Sequence, residues 1–179
     1  MRCVRVVGVD PGLASMGLAV VELKAGGPEL LSLQVVRTKP PAKKLRLRQA
    51  DHDAERVRLL VAALAEQITP DTLAICYEAP AGGRSARGAK ALALCVGALV
   101  ALAELHKLPL LSVSPQELKE KLTGSRSASK AAMIEAITLR WPDAAWPLPA
   151  STWEHAADAA AAIVACLDSP IMLAAQRGL

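Results

Sequence analysis

Two carboxylates that end apolar runs, with a third carboxylate and an imidazole that share a helix face, make together the donor set of a hard divalent cation. Asp10 closes the apolar run Val4–Val9 and is followed at once by Pro11-Gly12. Glu78 closes a second short run, Leu73-Ala74-Ile75-Cys76-Tyr77. His155 and Asp158 lie three apart in an alanine-rich stretch, so they share one face of a helix, and the flanking alanines leave them sterically open. Each has an ordinary reading by itself: an Asp before Pro-Gly caps a hairpin turn, and a His or Asp on an alanine helix is solvated. Taken together they are harder to dismiss, because three gathered carboxylates repel one another and raise their own pKa values unless cations compensate. Two Mg²⁺ ions would do so, with Mn²⁺ able to substitute where one ligand is an imidazole.

A sheet is needed to present such residues. Val4–Val9 reads as a buried strand, Asp10-Pro11-Gly12 as a turn and Met16–Leu23 as a second strand, which puts Asp10 at a strand's carboxyl end, where open α/β sheets keep their chemistry. After the turn at 25–28, Glu29–Arg37 alternates as a third, antiparallel strand, and Lys39-Pro40-Pro41 breaks the sheet. Val57, Leu60, Val61 and Leu64 recur at helical spacing within Asp51–Gln67. Thr72–Tyr77 is the strand that delivers Glu78, and 79–88 is a loop. Ala89–Leu105 reads as a helix that is apolar almost all round, as expected of one buried in a core or an interface. Leu110–Val113 is a further strand, and Ser114-Pro115-Gln116-Glu117 starts a helix that Gly124 ends. Ser129–Leu139 is helical with Met133, Ile134 and Ile137 inward. The segment 143–150 is a loop, and Ser151-Thr152-Trp153-Glu154 reads as a capping box opening a last helix to about Leu167. The expectation is a mixed α/β protein with one sheet, a single domain over 1–179 without internal repeats.

Composition narrows the partners. Hydrophobic residues make up 53% and aromatics 2%, with no Phe, so the core must be built from Ala, Leu and Val. Cys3, Cys76, Cys95 and Cys166 lie singly in apolar stretches, as buried thiols of a reducing compartment would. The first apolar run is interrupted too early for a signal peptide. Ala89–Leu105 carries Lys90 and Glu104 and falls just short of a membrane span, so a cytoplasmic protein with no membrane association is expected. The net charge of +4 is modest, but it is unevenly spread. Arg37, Lys39, Lys43, Lys44, Arg46 and Arg48 form one basic group, Arg84, Arg87 and Lys90 a second, and Lys119, Lys121, Arg126 and Lys130 a third. A charge run is usually a solvated face; three groups flanking loops point to a polyanion such as nucleic acid.

Four stretches in order resemble one known family, the RuvC Holliday-junction resolvases of the RNase H-like superfamily. GVDPGLASMG is similar to the family's first-strand motif and gives Asp10 the role of its first catalytic Asp. YEAP places the catalytic Glu at Glu78. SPQELKEKLTGSRSASKAAM resembles the segment with two functional lysines, which fall on Lys119 and Lys130, and EHAADAAAAIVAC resembles the last-helix motif, giving His155 and Asp158. Each motif alone is weak; four in order with matched local spacing are specific. The resemblance covers nearly the whole chain. It implies an RNase H-like α/β fold with a mixed five-stranded sheet flanked by helices, and a metal-dependent, structure-selective endonuclease that resolves four-way DNA junctions by paired nicks in recombination and repair. Asp10, Glu78, His155 and Asp158 would hold two Mg²⁺ ions, and Lys130 would complete the catalytic set, with Glu154 a weaker ligand candidate. Lys119, Lys121, Arg126, Arg84, Arg87, Lys43 and Lys44 would contact DNA. A homodimer and a branch-migration helicase partner are further implications. The chain departs from the family at Ala79-Pro80-Ala81-Gly82-Gly83, where relatives commonly carry an aromatic wedge, and this implies cutting governed by junction shape more than by local sequence. Alternatives are another RNase H-like nuclease acting on flaps or RNA–DNA hybrids and, more weakly, a sugar-kinase or actin-like ATPase. The latter is normally built from two such domains, too many for 179 residues.

Overall fold

The structure, a computed structural model, describes residues 4–39, 48–80, 82 and 85–179. Cys3, Pro40, Pro41, Lys43, Lys44, Arg46, Ala81, Gly83 and Arg84 lie outside them. Five strands form one sheet: β1 (Val4–Asp10), β2 (Ser15–Leu23), β3 (Glu29–Arg37), β4 (Thr72–Glu78) and β5 (Leu110–Val113), in the spatial order β3-β2-β1-β4-β5. The β1–β2 and β2–β3 pairs are antiparallel, whereas β4 runs parallel to both β1 and β5. This is the mixed five-stranded sheet that the sequence led us to expect.

Strand periodicity divides the core in two, because successive side chains point to opposite faces. Val7, Val9, Leu18, Val20 and Ile75 pack on one face with Leu60 and Leu64 of α1 (Gln49–Ala65) and Cys95 and Leu99 of α2 (Ala86–Leu105). Val6, Ala19, Val21, Ala74 and Cys76 pack on the other. They meet Leu118 of α3 (Pro115–Thr123), Met133 and Ile137 of α4 (Lys130–Arg140), the alanines of α5 (Trp153–Cys166), and Met172 of α6 (Pro170–Arg177). Asp10 follows the parity of Val6 and Gly8, and Glu78 that of Ala74 and Cys76. Both acids therefore belong to the face that α5 covers.

The alanines of α5 do more than leave space for their neighbours. Ala156, Ala157 and Ala159–Ala162 are completely buried, and two glycines of the sheet let the helix backbone settle on it. A Cβ at Gly8 would stand 2.1 Å from the Ala159 carbonyl oxygen, and one at Gly17 would stand 1.9 Å from that of His155. Small residues on both surfaces thus set the depth of α5 and, with it, the height of His155 and Asp158 above the sheet.

Several local expectations are corrected. The helices α1 and α2 begin at Gln49 and Ala86, earlier than periodicity suggested; Ser85 Oγ accepts from the Gly88 N–H and caps α2. Ser151–Glu154 is not a capping box. Ala150–Thr152 makes a short 3₁₀ turn, α5 starts at Trp153, and the Thr152 hydroxyl donates to the Pro149 carbonyl. A sixth helix, α6, follows where the chain was expected to end its helices at Leu167. The Ser114–Glu117 capping box and the left-handed Gly124 that ends α3 are present as read. Helix α2 is long and apolar enough to cross a membrane, but Cys95, Leu99, Leu102 and Ala103 seat one side of it on the sheet.

Candidate active site

Asp10 and Glu78 end neighbouring parallel strands, one step beyond the last paired residues, Val9 and Tyr77. Glu78 is held in turn against β5 through Val113. On the other side of the gap α5 enters with its amino end. There Glu154, His155 and Asp158 face the strand ends, and His155 Nδ1 lies 2.7 Å from Asp10 Oδ2. Lys130, at the first position of α4, forms an ion pair with Glu154 Oε2, and Glu154 Oε1 lies 3.8 Å from His155 Nε2. A cavity of about 180 Å³ opens beside this group, lined by Glu78, Asp158, Glu154, Lys119 and Lys130 over a floor that includes Leu118 and Met133.

Electrostatics unite these residues. Burial, reinforced by the charges of Asp158 and Asp10, pushes the Glu78 carboxyl up to about 7, against the opposing pull of Lys119 and His155. Burial and then Asp10 push Asp158 to about 7 as well. The hydrogen bond to Asp10 raises His155 above its ordinary value, although its own burial works the other way. Glu154 raises Lys130. Repulsion among the acids was legible from the sequence, but burial, the larger cause at both Glu78 and Asp158, was not.

Among the described residues no three His, Cys, Asp or Glu side chains converge on one point as they stand. The donor set nonetheless fits a divalent cation on chemical grounds. It offers carboxylate oxygens and one imidazole, and a dication is the species that would relieve the cost of keeping the half-buried Glu78 and Asp158 ionised.

The basic residues divide by environment. Lys119 is half-buried at the cavity, near Glu78. Lys121 pairs with Asp168 at 2.6 Å and Arg126 with Glu120 at 2.9 Å, both on the surface. Arg87 is exposed on the first turn of α2, where its Nη2 donates to Gln49 Oε1 at 3.3 Å. Lys43, Lys44 and Arg84 fall outside the described residues.

Sequence reasoning missed a buried polar group beside the turn after Asp10. Arg56 Nε donates to Thr38 Oγ1 at 2.7 Å and Arg56 Nη2 to the Leu13 carbonyl at 3.2 Å. Asp53, within 3.8 Å of Arg56, accepts from Gln49 at 2.8 Å. A signal was present: Asp53, Arg56, Leu60 and Leu64 recur at spacings of three and four, which extends the buried face of α1 into charged residues.

Comparison with known proteins gives relatives along nearly the whole chain. Residues 6–166 match the family described as crossover junction endodeoxyribonuclease RuvC. The RuvC protein of Corynebacterium glutamicum is 34% identical over 177 residues, covering 96% of this chain and 73% of that protein. That of Mycobacterium sp. (strain KMS) is 32% identical over 174 residues, covering 94% and 85%. Among solved structures, T. thermophilus RuvC in complex with Holliday junction substrate superposes with a TM-score of 0.71 at 24% identity, over 98% of this chain and 96% of that one. The yeast mitochondrial Holliday junction resolvase gives 0.64 at 18% identity, over 97% and 80%. These structural likenesses establish the RNase H-like resolvase fold, and with the match over residues 6–166 the chain belongs to the RuvC family of crossover junction endodeoxyribonucleases, nucleases that resolve Holliday junctions.

Proposed function

We propose that this protein nicks four-way DNA junctions in pairs, as a homodimer in the cytoplasm during recombination and repair, with residues 1–179 acting as one nuclease domain. Asp10, Glu78, His155 and Asp158 are its catalytic centre. The observation that carries this reading is the convergence of the strand-end acids Asp10 and Glu78 with His155 and Asp158 of α5: His155 Nδ1 lies 2.7 Å from Asp10 Oδ2, Glu78 and Asp158 line one cavity, and partial burial pushes both of those acids up to about 7. Half-buried carboxylates kept at such a cost, at the mouth of a cavity edged by two lysines, suit a site built for a dication and a phosphate together.

RuvC-family nucleases are generally dependent on a divalent metal. Here Asp10, Glu78, Asp158 and His155 would hold two Mg²⁺ ions, with Mn²⁺ able to replace them. Such ions supply Lewis acidity toward the phosphate and a lowered pKa for the attacking water. The protein's own groups do the rest. Asp10 is oriented by His155, and His155, once neutral, can serve as a ligand or accept the proton of the attacking water. Lys130 is released from Glu154 to neutralise charge developing on the scissile phosphate, and Lys119 supports it from the other side of the cavity. Arg87, Lys121 and Arg126 contact backbone phosphates farther out, and Arg84, Lys43 and Lys44, which lie outside the described residues, are assigned to DNA by their charge. Lys121 and Arg126 exchange surface carboxylate partners for phosphate, a small cost because exposed pairs contribute little.

The dimer rests on α2. Ala93, Leu94, Gly97, Val100, Ala101 and Leu105 form an exposed stripe at spacings of three and four on the side away from the sheet. The small residues at its centre permit a second helix to approach closely, and a two-fold axis there would present two sites to a two-fold junction.

The test is cleavage of four-way junction, flap, duplex and RNA–DNA hybrid substrates side by side in Mg²⁺. Symmetric nicks in the junction, with the other substrates cut far more slowly, support the reading. Preferential cutting of the flap or hybrid overturns the junction assignment.

A further inference from the structure

The geometry points to Arg56 as the positioning residue of the Asp10 turn, a buried cation that fixes the loop between β1 and β2 through the Leu13 carbonyl. This rests on the reading of Asp10 as catalytic and extends it to a residue that touches no substrate.

Arg56, Asp53 and Thr38 are all at least nine-tenths buried. Burial of a guanidinium is costly unless its donors find acceptors, and here they find them on the turn that follows Asp10. The Leu13 carbonyl receives two hydrogen bonds, one from Arg56 Nη2 and one from the Thr38 hydroxyl. Thr38 also receives Arg56 Nε, and its backbone N–H donates to the Ala14 carbonyl at 3.0 Å. Residues 13 and 14 are thereby tied to the end of β3 and to α1 at once. The Leu13 side chain is anchored in the core shared with α1 and α2. Asp10 is three residues away, paired to Gly17 across the same hairpin. A shift of the turn must therefore reach the carboxylate.

The bracing continues outward. Asp53 lies 3.8 Å from Arg56 and accepts from Gln49, which in turn accepts from the exposed Arg87. A cavity of about 310 Å³ lies over this relay, lined by Leu13, Ala14, Asp53, Arg56 and Arg87 among others. A group that merely filled the core would need neither two ties to one carbonyl nor a carboxylate partner; a planar fork of donors suits holding a backbone segment in one place.

Arg56→Lys keeps the charge but offers a single point where Arg offers a fork. The experiment compares wild type, Arg56→Lys, Thr38→Val, Leu64→Ala and Asp10→Asn. It measures single-turnover cleavage of a four-way junction, junction Kd in Ca²⁺, melting temperature, and the Mg²⁺ concentration giving half of the thermal stabilisation without DNA. For Arg56→Lys and Thr38→Val the expected result is a loss of about ten- to a hundredfold in cleavage rate, a several-fold higher half-stabilising Mg²⁺, and junction Kd within about twofold. Leu64→Ala, a core change on the same helix, should lower the melting temperature without moving the Mg²⁺ midpoint or the cleavage rate measured well below melting. The double variant Arg56→Lys/Thr38→Val should be little worse than either single one, since both act through one carbonyl. Wild-type cleavage and Mg²⁺ midpoint in Arg56→Lys overturn the proposal, as does a loss that Leu64→Ala reproduces at equal melting temperature. If Asp10→Asn itself still cuts, the assignment of Asp10 falls and the role of Arg56 falls with it. A dead Asp10→Asn beside a fully active Arg56→Lys removes the positioning role alone.

Discussion

His155 Nδ1 and Asp10 Oδ2 lie 2.7 Å apart across 145 residues of chain, so the first turn of α5 is docked on the end of β1. The contact favours protonated His155, whereas metal ligation or proton acceptance requires the neutral ring. Glu78 and Asp158, both near 7, share that requirement: each must lose its proton before it can serve as a ligand. Cleavage at a fixed, sub-saturating Mg²⁺ concentration should therefore rise by about tenfold or more between about pH 6 and about pH 8. Mg²⁺ binding near neutrality should release protons. Calorimetry in two buffers of different ionisation enthalpy checks this; heats that do not depend on the buffer would count against it.

The same shifts act on stability. The folded-state values of Glu78 and Asp158 lie above the ordinary 4.5 and 3.8, so the folded protein holds protons that the unfolded chain has released. Their contribution is complete below about pH 4 and is lost as pH rises through about 7, a change on the order of a few kcal/mol for the metal-free protein. Asp158→Asn removes one half-buried charge. At about pH 8 it should raise the metal-free melting temperature while abolishing stabilisation by Mg²⁺. Thermal melts of both proteins with EDTA and with Mg²⁺ decide the matter.

His155→Ala should be severely impaired, and His155→Asp should retain measurable cleavage; its acid limb loses the imidazole's contribution but is still set near 7 by Glu78 and Asp158. Rate against pH for both variants, in Mg²⁺ and in Mn²⁺, is the check. Wild-type rates in His155→Ala would shift the role to Glu154, which already stands 3.8 Å from the ring.

Gly17→Ala places a methyl 1.9 Å from the His155 carbonyl oxygen, and Gly8→Ala places one 2.1 Å from that of Ala159. Both obstacles are backbone atoms and cannot swing aside. Each substitution should destabilise the protein by about 3 kcal/mol, and by lifting α5 it should depress cleavage beyond what stability explains. Urea denaturation and single-turnover rates measure the two effects separately.

The exposed stripe of α2 makes a prediction about assembly. Val100→Glu, or Gly97→Leu at a position where an added Cβ meets nothing within 4 Å of its own chain, should leave the fold intact and convert a dimer to a monomer. Sedimentation equilibrium reads the outcome, and a dimer that persists in both variants places the interface elsewhere.

What was legible in the chain follows its local chemistry. Strand β3 has the bounds that alternation gave it, and the Ser114–Glu117 box caps α3 as its spacing requires. Asp10, Glu78, His155 and Asp158 stood out as candidates because strand ends and an i, i+3 pair are local patterns. The same kind of pattern misled at Ser151: the turn after Pro149 delays the helix to Trp153, and Glu154, freed from capping, turns to Lys130. Ser169-Pro170, a start signal of equal quality, opens α6. Arg56 was passed over because its partners, Thr38 and the Leu13 carbonyl, are 18 and 43 residues away. No window along the helix contains them.

Asp10→Asn, assayed on a four-way junction, tests the central claim most directly. Junction binding is measured in Ca²⁺, whose looser coordination permits binding without cutting, and single-turnover cleavage is measured in Mg²⁺. If Asp10 is the metal ligand proposed above, the variant removes that ligand and a phosphate-repelling charge together. Binding should therefore be retained or tightened, while cleavage falls by about a thousandfold or more. Cutting at the wild-type rate by a folded Asp10→Asn protein would contradict the account.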